Sequence, residues 1–228
     1  MRARALSRLP LMADPHEIPK AALLGEIYVR HDPISRQRLV ERLAARGIAV
    51  RTSPVSEWIF YTDWMQNSGL TAKPGLMTRV KQWVKRRSFQ QARDAFLPSG
   101  LISQLPTDIK DVVHAGSGFV SPMLTGEAIL TVGAAFHEIL NPACGIVAIG
   151  PFGCMPTRLA EAVLAKDFCT DTLARLYPER VRRLPSDACG KLPFLAVETD
   201  GNPFPQLIEA RIEAFCLQAA RLHSAMRR

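Results

Sequence analysis

The run Gly145-Ile146-Val147-Ala148-Ile149 passes directly into Pro151-Phe152-Gly153-Cys154-Met155-Pro156 and then into a helical pattern over Thr157–Lys166. An unbroken apolar run of this kind, bounded by Gly and Pro, predicts a strand buried on both faces. Such strands occur where helices cover both sides of a parallel sheet. This segment confines the chain to the α/β class and places a cysteine at the carboxyl end of a central strand.

The rest of the pattern agrees. Ala21–Val29 is a second apolar run, and His31-Asp32-Pro33 reads as a turn. Leu39, Val40, Leu43 and Ala44 recur at helical spacing within Ile34–Arg46, Gly47 stops that helix, and Ile48–Arg51 is a short strand. Strand, helix and strand in so short a stretch form a βαβ unit. Ser53 and Pro54 suit the N-cap and first position of a helix running to about Met65. Met77–Phe96 predicts a long basic helix. A shorter helix follows near Thr107–Ala115, then a Gly116-Ser117-Gly118 loop, then a helix from Thr125-Gly126-Glu127 to about Leu140. Asp167–Lys191 is a polar connection with some helix, Leu192–Val197 a last strand, Asp200-Gly201-Asn202 a turn, and Pro205–Arg221 the closing helix. The expected fold is a mostly parallel, Rossmann- or flavodoxin-like sheet flanked by helices. Residues 1–19 read as a flexible leader and 20–228 as one α/β domain. That domain has a βαβ half at 20–66, a basic helical segment at 67–105 and a Cys154-loop half at 106–228.

Composition narrows the function classes. Apolar residues make up 47% of the 228-residue chain, enough for a sizeable core. The five cysteines, Cys144, Cys154, Cys169, Cys189 and Cys216, are odd in number and lack CxxC spacing. That disfavours a secreted disulfide framework and a structural zinc site, and points to a reducing, cytoplasmic setting. No apolar run is long enough to span a membrane. The histidines show no HxxxH or HExxH spacing, and no GxSxG elbow occurs. The net charge of +8 admits acidic partners. In the basic helix, Arg79, Lys81, Lys85, Arg86, Arg87 and Arg93 alternate with Val80, Trp83, Val84 and Phe89. No nucleic-acid module accompanies them, so partner docking or attraction to an anionic cofactor such as CoA is the preferred reading.

Cys154 is the leading chemical candidate. Gly153 lets backbone approach a ligand, and the following helix N-terminus favours a thiolate, which binds iron or attacks electrophiles. The alternative is an inert packed cysteine. Glu127 either faces the same loop or serves as a first-turn acid. Ser56, Glu57 and Trp58 either line the cleft or pack, and Gly25 and Glu26 at the end of the first strand are similar.

Four segments together carry a resemblance: GEIYVRHDPISRQRLVERLAARGIAV with RTSPVSEWIFY, GEAILTVGAAFHEI, GIVAIGPFGCMPTRLAEAVL, and PFLAVETDGNPFPQLIEARIEAF. Over roughly Leu23–Phe215 the chain resembles the acyl-CoA dehydratase activase-related proteins, of the 2-hydroxyacyl-CoA dehydratase D-component-like kind. The resemblance implies an iron–sulfur-linked redox or assembly component of a dehydratase or acyl-CoA reductase-like system. It implies a 4Fe–4S cluster with Cys154 as a ligand. It also implies a cofactor-binding surface at Gly126, Glu127, Phe152, Gly153, Met155, Pro156, Ser56 and Glu57. Its implied partners are an ATPase activator or cluster-bearing chain, and acyl-CoA. The chain departs from the pattern in two ways: no cysteine precedes Cys144, and no Walker-type loop is present. Cys144 is the candidate second ligand. Two further readings stay open: a cluster-free interaction subunit of the same fold, and a thiol enzyme with Cys154 as nucleophile.

Overall fold

The computed structural model describes residues 8, 10, 14, 17–99, 108–182, 184, 190–199 and 206–227. Most of the expected leader, the Asp200–Asn202 turn and Cys189 lie outside them. The chain divides into two compact units, Met1–Ile18 with Ser56–Ile109, and Pro19–Val55 with Lys110–Arg228. The expected half at 20–66 is therefore cut at Val55.

The second unit holds a four-stranded, all-parallel sheet of order β2-β1-β3-β4, built from β1 (Lys20–Gly25), β2 (Ala49–Thr52), β3 (Gly145–Pro151) and β4 (Phe194–Thr199). Helices flank it, so the expected α/β, Rossmann- or flavodoxin-like class is what the chain adopts. Its helices are α1 (Leu39–Ala44), α4 (Ile109–Ser117, all but its first residue), α5 (Glu127–Glu138), α6 (Met155–Asp167), α7 (Thr170–Leu176), α8 (Pro178–Val181) and α9 (Gln206–Met226). Residues Ala21–Leu24 and Ile146–Ile149 are buried without alternation, because helices cover both faces. A side chain at Gly145 would meet Phe215 and Ala219 of α9, and one at Gly150 would meet Thr157 of α6. Positions of opposite parity face opposite sides of a strand, so α9 and α6 lie on opposite faces.

Two expected elements are shorter than their apolar patterns. β1 ends at Gly25, where φ is +104° and a Cβ would lie 2.0 Å from the Ile149 carbonyl. The Glu26 N–H then donates to that carbonyl at 2.9 Å, and the Glu26 carboxylate accepts from the Val29 N–H at 2.7 Å. This replaces the second half of the expected strand with a turn. The helix expected from Ile34 starts only at Leu39, because Gln37 and Arg38 take left-handed φ values of 49° and 56°. The helix expected at Ser53 starts at Ser56. The Ser53 N–H instead donates to the Leu23 carbonyl at 3.0 Å and extends the β2 side of the sheet.

The expected Gly116-Ser117-Gly118 loop is largely helix. α4 continues through Ser117, and a Cβ on Gly116 would come within 2.4 Å of the Ile129 carbonyl. A Cβ on Gly133 of α5 would come within 1.9 Å of the Val112 carbonyl. These two glycines let α4 and α5 cross with backbones in contact, so Gly116 is a packing residue within a helix and not a loop residue.

The first unit contains α2 (Ser56–Asn67), α3 (Leu76–Phe96) and a 3-10 turn at Leu97–Ser99. Phe60 and Phe89 meet edge to face at 5.2 Å. Lys85 and Asp63 pair at 2.7 Å, and Gln82 bridges Gln66 and Asn67. Among the described residues, no helix is long and apolar enough to cross a membrane.

Candidate functional site

The strand order places a topological switch between β1 and β3. From β1 the chain crosses through α1 to β2 on one side, and from β3 through α6, α7 and α8 to β4 on the other. In open α/β sheets the crevice at such a point, outside the carboxyl ends of the strands, is where ligands collect. Two loops leave the sheet there, Glu26–Asp32 after β1 and Phe152–Cys154 after β3. The turn Ser121–Gly126, which leads into α5, joins them. The Glu127 carboxylate accepts from the Ile27 N–H at 3.2 Å, and a Cβ on Gly126 would sit 3.9 Å from the Pro156 ring. Gly126 thus lies near Pro156, and the Glu127 carboxylate bonds the β1 loop.

Cys154 is half-buried and is the N-cap residue of α6. The Thr157 hydroxyl donates to its sulfur at 3.2 Å. Thr157 is buried, and it sits so close to Gly150 that a side chain there would collide with it. Met155 and Pro156 occupy the first turn of α6, and Gly153 has φ +69° with open space around it. Phe152 is 76% exposed and Met155 78% exposed. Tyr28, Met123 and Leu124, on the other two loops, are exposed as well. Large apolar side chains thus point to solvent on all three of these loops.

Two residues of this site carried no signal in the sequence reading. Glu198 of β4 accepts from the Gly153 N–H at 3.0 Å and pairs with Arg158 of α6 at 2.5 Å, pinning the Cys154 loop to the edge strand. Arg30 is buried and donates to the Gly25 carbonyl at 2.8 Å, supporting the backbone where β1 turns. The Glu198 contact is visible only once β3 and β4 are in register, with Gly150 opposite Glu198. Beside the β1 loop, Ile27, Tyr28, His31, Asp32, Pro33 and Val55 line an open, mainly apolar groove. Burial and the neighbouring Arg30 guanidinium hold the His31 imidazole below its ordinary pKa.

Ser56 and Glu57 form the first turn of α2 in the first unit, whereas the site above is built within the second. Trp58 packs edge to face on Tyr61 at 5.5 Å.

A cubane cluster takes three or four thiolates. Cys144 is fully buried before the amino end of β3, where its thiol lies 3.2 Å from the Lys20 carbonyl and burial pushes its pKa up to about 11. The whole of β3 separates it from Cys154, about 20 Å at the rise of a strand. The two therefore cannot ligate one cluster. Cys216 is buried in α9 and Cys169 caps α7. Among the described residues no three His, Cys, Asp or Glu side chains are grouped to hold a metal ion. The described cysteines do not by themselves fit a complete cluster. The Thr157 hydroxyl is a donor to Cys154, not a base that would take its proton.

No family model, curated protein or solved structure matches the chain.

Proposed function

We propose that this chain is an interaction subunit of the kind of acyl-CoA dehydratase-related system it resembles, docking another protein chain at the carboxyl end of its sheet. The observation that carries the reading is the exposure of Phe152, Met155, Met123, Leu124 and Tyr28 on three loops that meet at the switch point. Methionine and aromatic side chains are enriched at the buried centre of protein interfaces. Glu198 and Arg158 hold the central loop in place, which lowers the ordering cost of docking. A photo-crosslinking amino acid at position 152 or 155, in cells that make the protein, tests this. One discrete adduct at these positions and none at the exposed Lys166 position is expected. Equal labelling at all three, or none at all, would contradict the reading.

A second reading rests on the accessible position of Cys154 between those side chains. The docked chain supplies further thiolates, and Cys154 is the single ligand this chain contributes to a shared 4Fe–4S cluster. Iron and acid-labile sulfide, measured on the anaerobic complex of the wild type and of Cys154→Ala, decide it. Cluster lost in Cys154→Ala supports the shared site. Iron absent from the wild-type complex, or iron retained in Cys154→Ala, excludes it and leaves docking alone.

A further inference from the structure

Helix α3 presents its faces in an unusual way. Thr78, Gln82, Lys85 and Phe89 recur at helical spacing on the side that meets α2, and the contacts there are largely polar: Gln82 with Gln66 and Asn67, and Lys85 with Asp63. Gln82 is its one buried residue. On the opposite side Leu76, Val80, Trp83 and Val84 recur at i, i+4, i+7 and i+8, joined by Met77, and all are exposed. Leu76 is 82% and Trp83 67% exposed. An amphipathic helix that stabilises a fold through its own apolar stripe buries that stripe. Here the polar side is the packed one, and the apolar stripe faces solvent.

Charge says what covers it. Arg79 and Arg86 border the stripe on one side and Lys81 on the other, and Arg87 continues it toward the carboxyl end; all four are exposed. No acidic residue occurs between Leu76 and Arg93. A second copy of this face would oppose like charges at close range, which disfavours self-pairing. Trp, Met and Arg are the residue types that anchor protein interfaces, and arginine outnumbers lysine along the stripe.

We propose that this face of α3 is a second docking surface, which enters a groove of an acidic partner protein with an apolar floor and Asp or Glu along its rims. Leu76, Val80 and Trp83 are the anchors that fill the groove, the helix-in-groove mode of recognition. Arg79, Lys81 and Arg86 pair with the rims. The surface lies in the first unit and does not depend on the Cys154 site.

The test uses the full chain labelled with 5-fluorotryptophan, with the Trp83 fluorine resonance assigned from Trp83→Phe. A synthetic helical peptide with leucines on one face and glutamates on both borders stands in for the partner. The expected result is a saturable shift of the Trp83 resonance that leaves Trp58 and Trp64 in place. Arg79→Glu with Arg86→Glu should weaken it by about tenfold or more, and added salt should weaken it further. Val80→Asp should abolish it, while the unmoved Trp58 and Trp64 resonances report an intact fold. An unmoved Trp83 resonance, or equal binding of a lysine-bordered peptide, would overturn the proposal. So would a shift produced only by phosphatidylserine vesicles, which makes the face a membrane surface. A shift that follows protein concentration without peptide makes it a self-association face, and equally overturns the proposal.

Discussion

Helices α5 and α3 put apolar residues to opposite uses. In α5 ten of twelve residues are buried, from Ala128 to Phe136 and again at Glu138. Its surroundings dictate nearly every position: Gly133 against Val112, and Phe136 against Phe119 at 4.9 Å and Phe168 at 5.3 Å. In α3 one of twenty-one residues is buried. Tryptophan, methionine and leucine there contribute little to this chain's own core. The first helix teaches that small and apolar residues record packing. The second teaches that similar residue types can be left in solvent beside cations, outside the chain's own packing.

The comparison breaks most sharply if core substitutions in α5 prove mild. Phe136→Ala removes a fully buried ring and should cost about 4 kcal/mol in urea unfolding. Gly133→Ala comes next. The helix propensity gained is outweighed by a Cβ driven toward the Val112 carbonyl, for a net loss of about 2 kcal/mol. A stabilised Gly133→Ala would show that α4 and α5 do not cross in backbone contact.

A smaller effect concerns pH. Burial, with the Arg180 guanidinium, holds His137 below its ordinary pKa, so folding favours the neutral ring. Around pH 6.5 the unfolded chain then binds more protons than the folded one, and stability falls as pH drops. His31 is lowered in the same sense and adds to the slope. His137→Gln should flatten, without abolishing, the stability loss seen between pH 7 and pH 5.5. An unchanged slope would contradict the burial assigned to this ring.

The smallest effect sharpens the contrast from the other side. Trp83→Ala, although it removes the largest side chain of the α3 stripe, should change stability by less than about 0.5 kcal/mol. A loss of several times that would mean the stripe is packed within this chain.

Legibility in the sequence followed the range of the interactions. β3 was readable because a doubly covered strand needs an uninterrupted apolar run, and α3 because twenty-one residues repeat one period. The Cys154 loop was placed correctly, at the carboxyl end of β3, from Gly, Pro and the helical pattern that follows. The end of β1 was not readable. Ile27, Tyr28 and Val29 continue an apolar run, and only the approach of Ile149 shows why Gly25 turns the chain. The left-handed Gln37 and Arg38 carry no sequence mark, since neither is Gly or Asn. Gly116 read as a loop residue because its partner helix lies elsewhere in the chain. The Glu198 carboxylate that fixes Gly153 is 45 residues away from it, beyond any local pattern.

The central claim is that the Phe152-Gly153-Cys154-Met155 loop is covered by another chain in the working assembly. Differential alkylation of Cys154 tests it most directly, comparing the purified chain with intact cells that make it and using Cys169 as the reference thiol. The account predicts ready alkylation of Cys154 in the purified chain and strong protection in cells. Phe152→Asp with Met155→Asp, both exposed and so expected to leave stability unchanged, should remove the protection. Cys154 alkylated equally in cells and in isolation, relative to Cys169, would contradict the account.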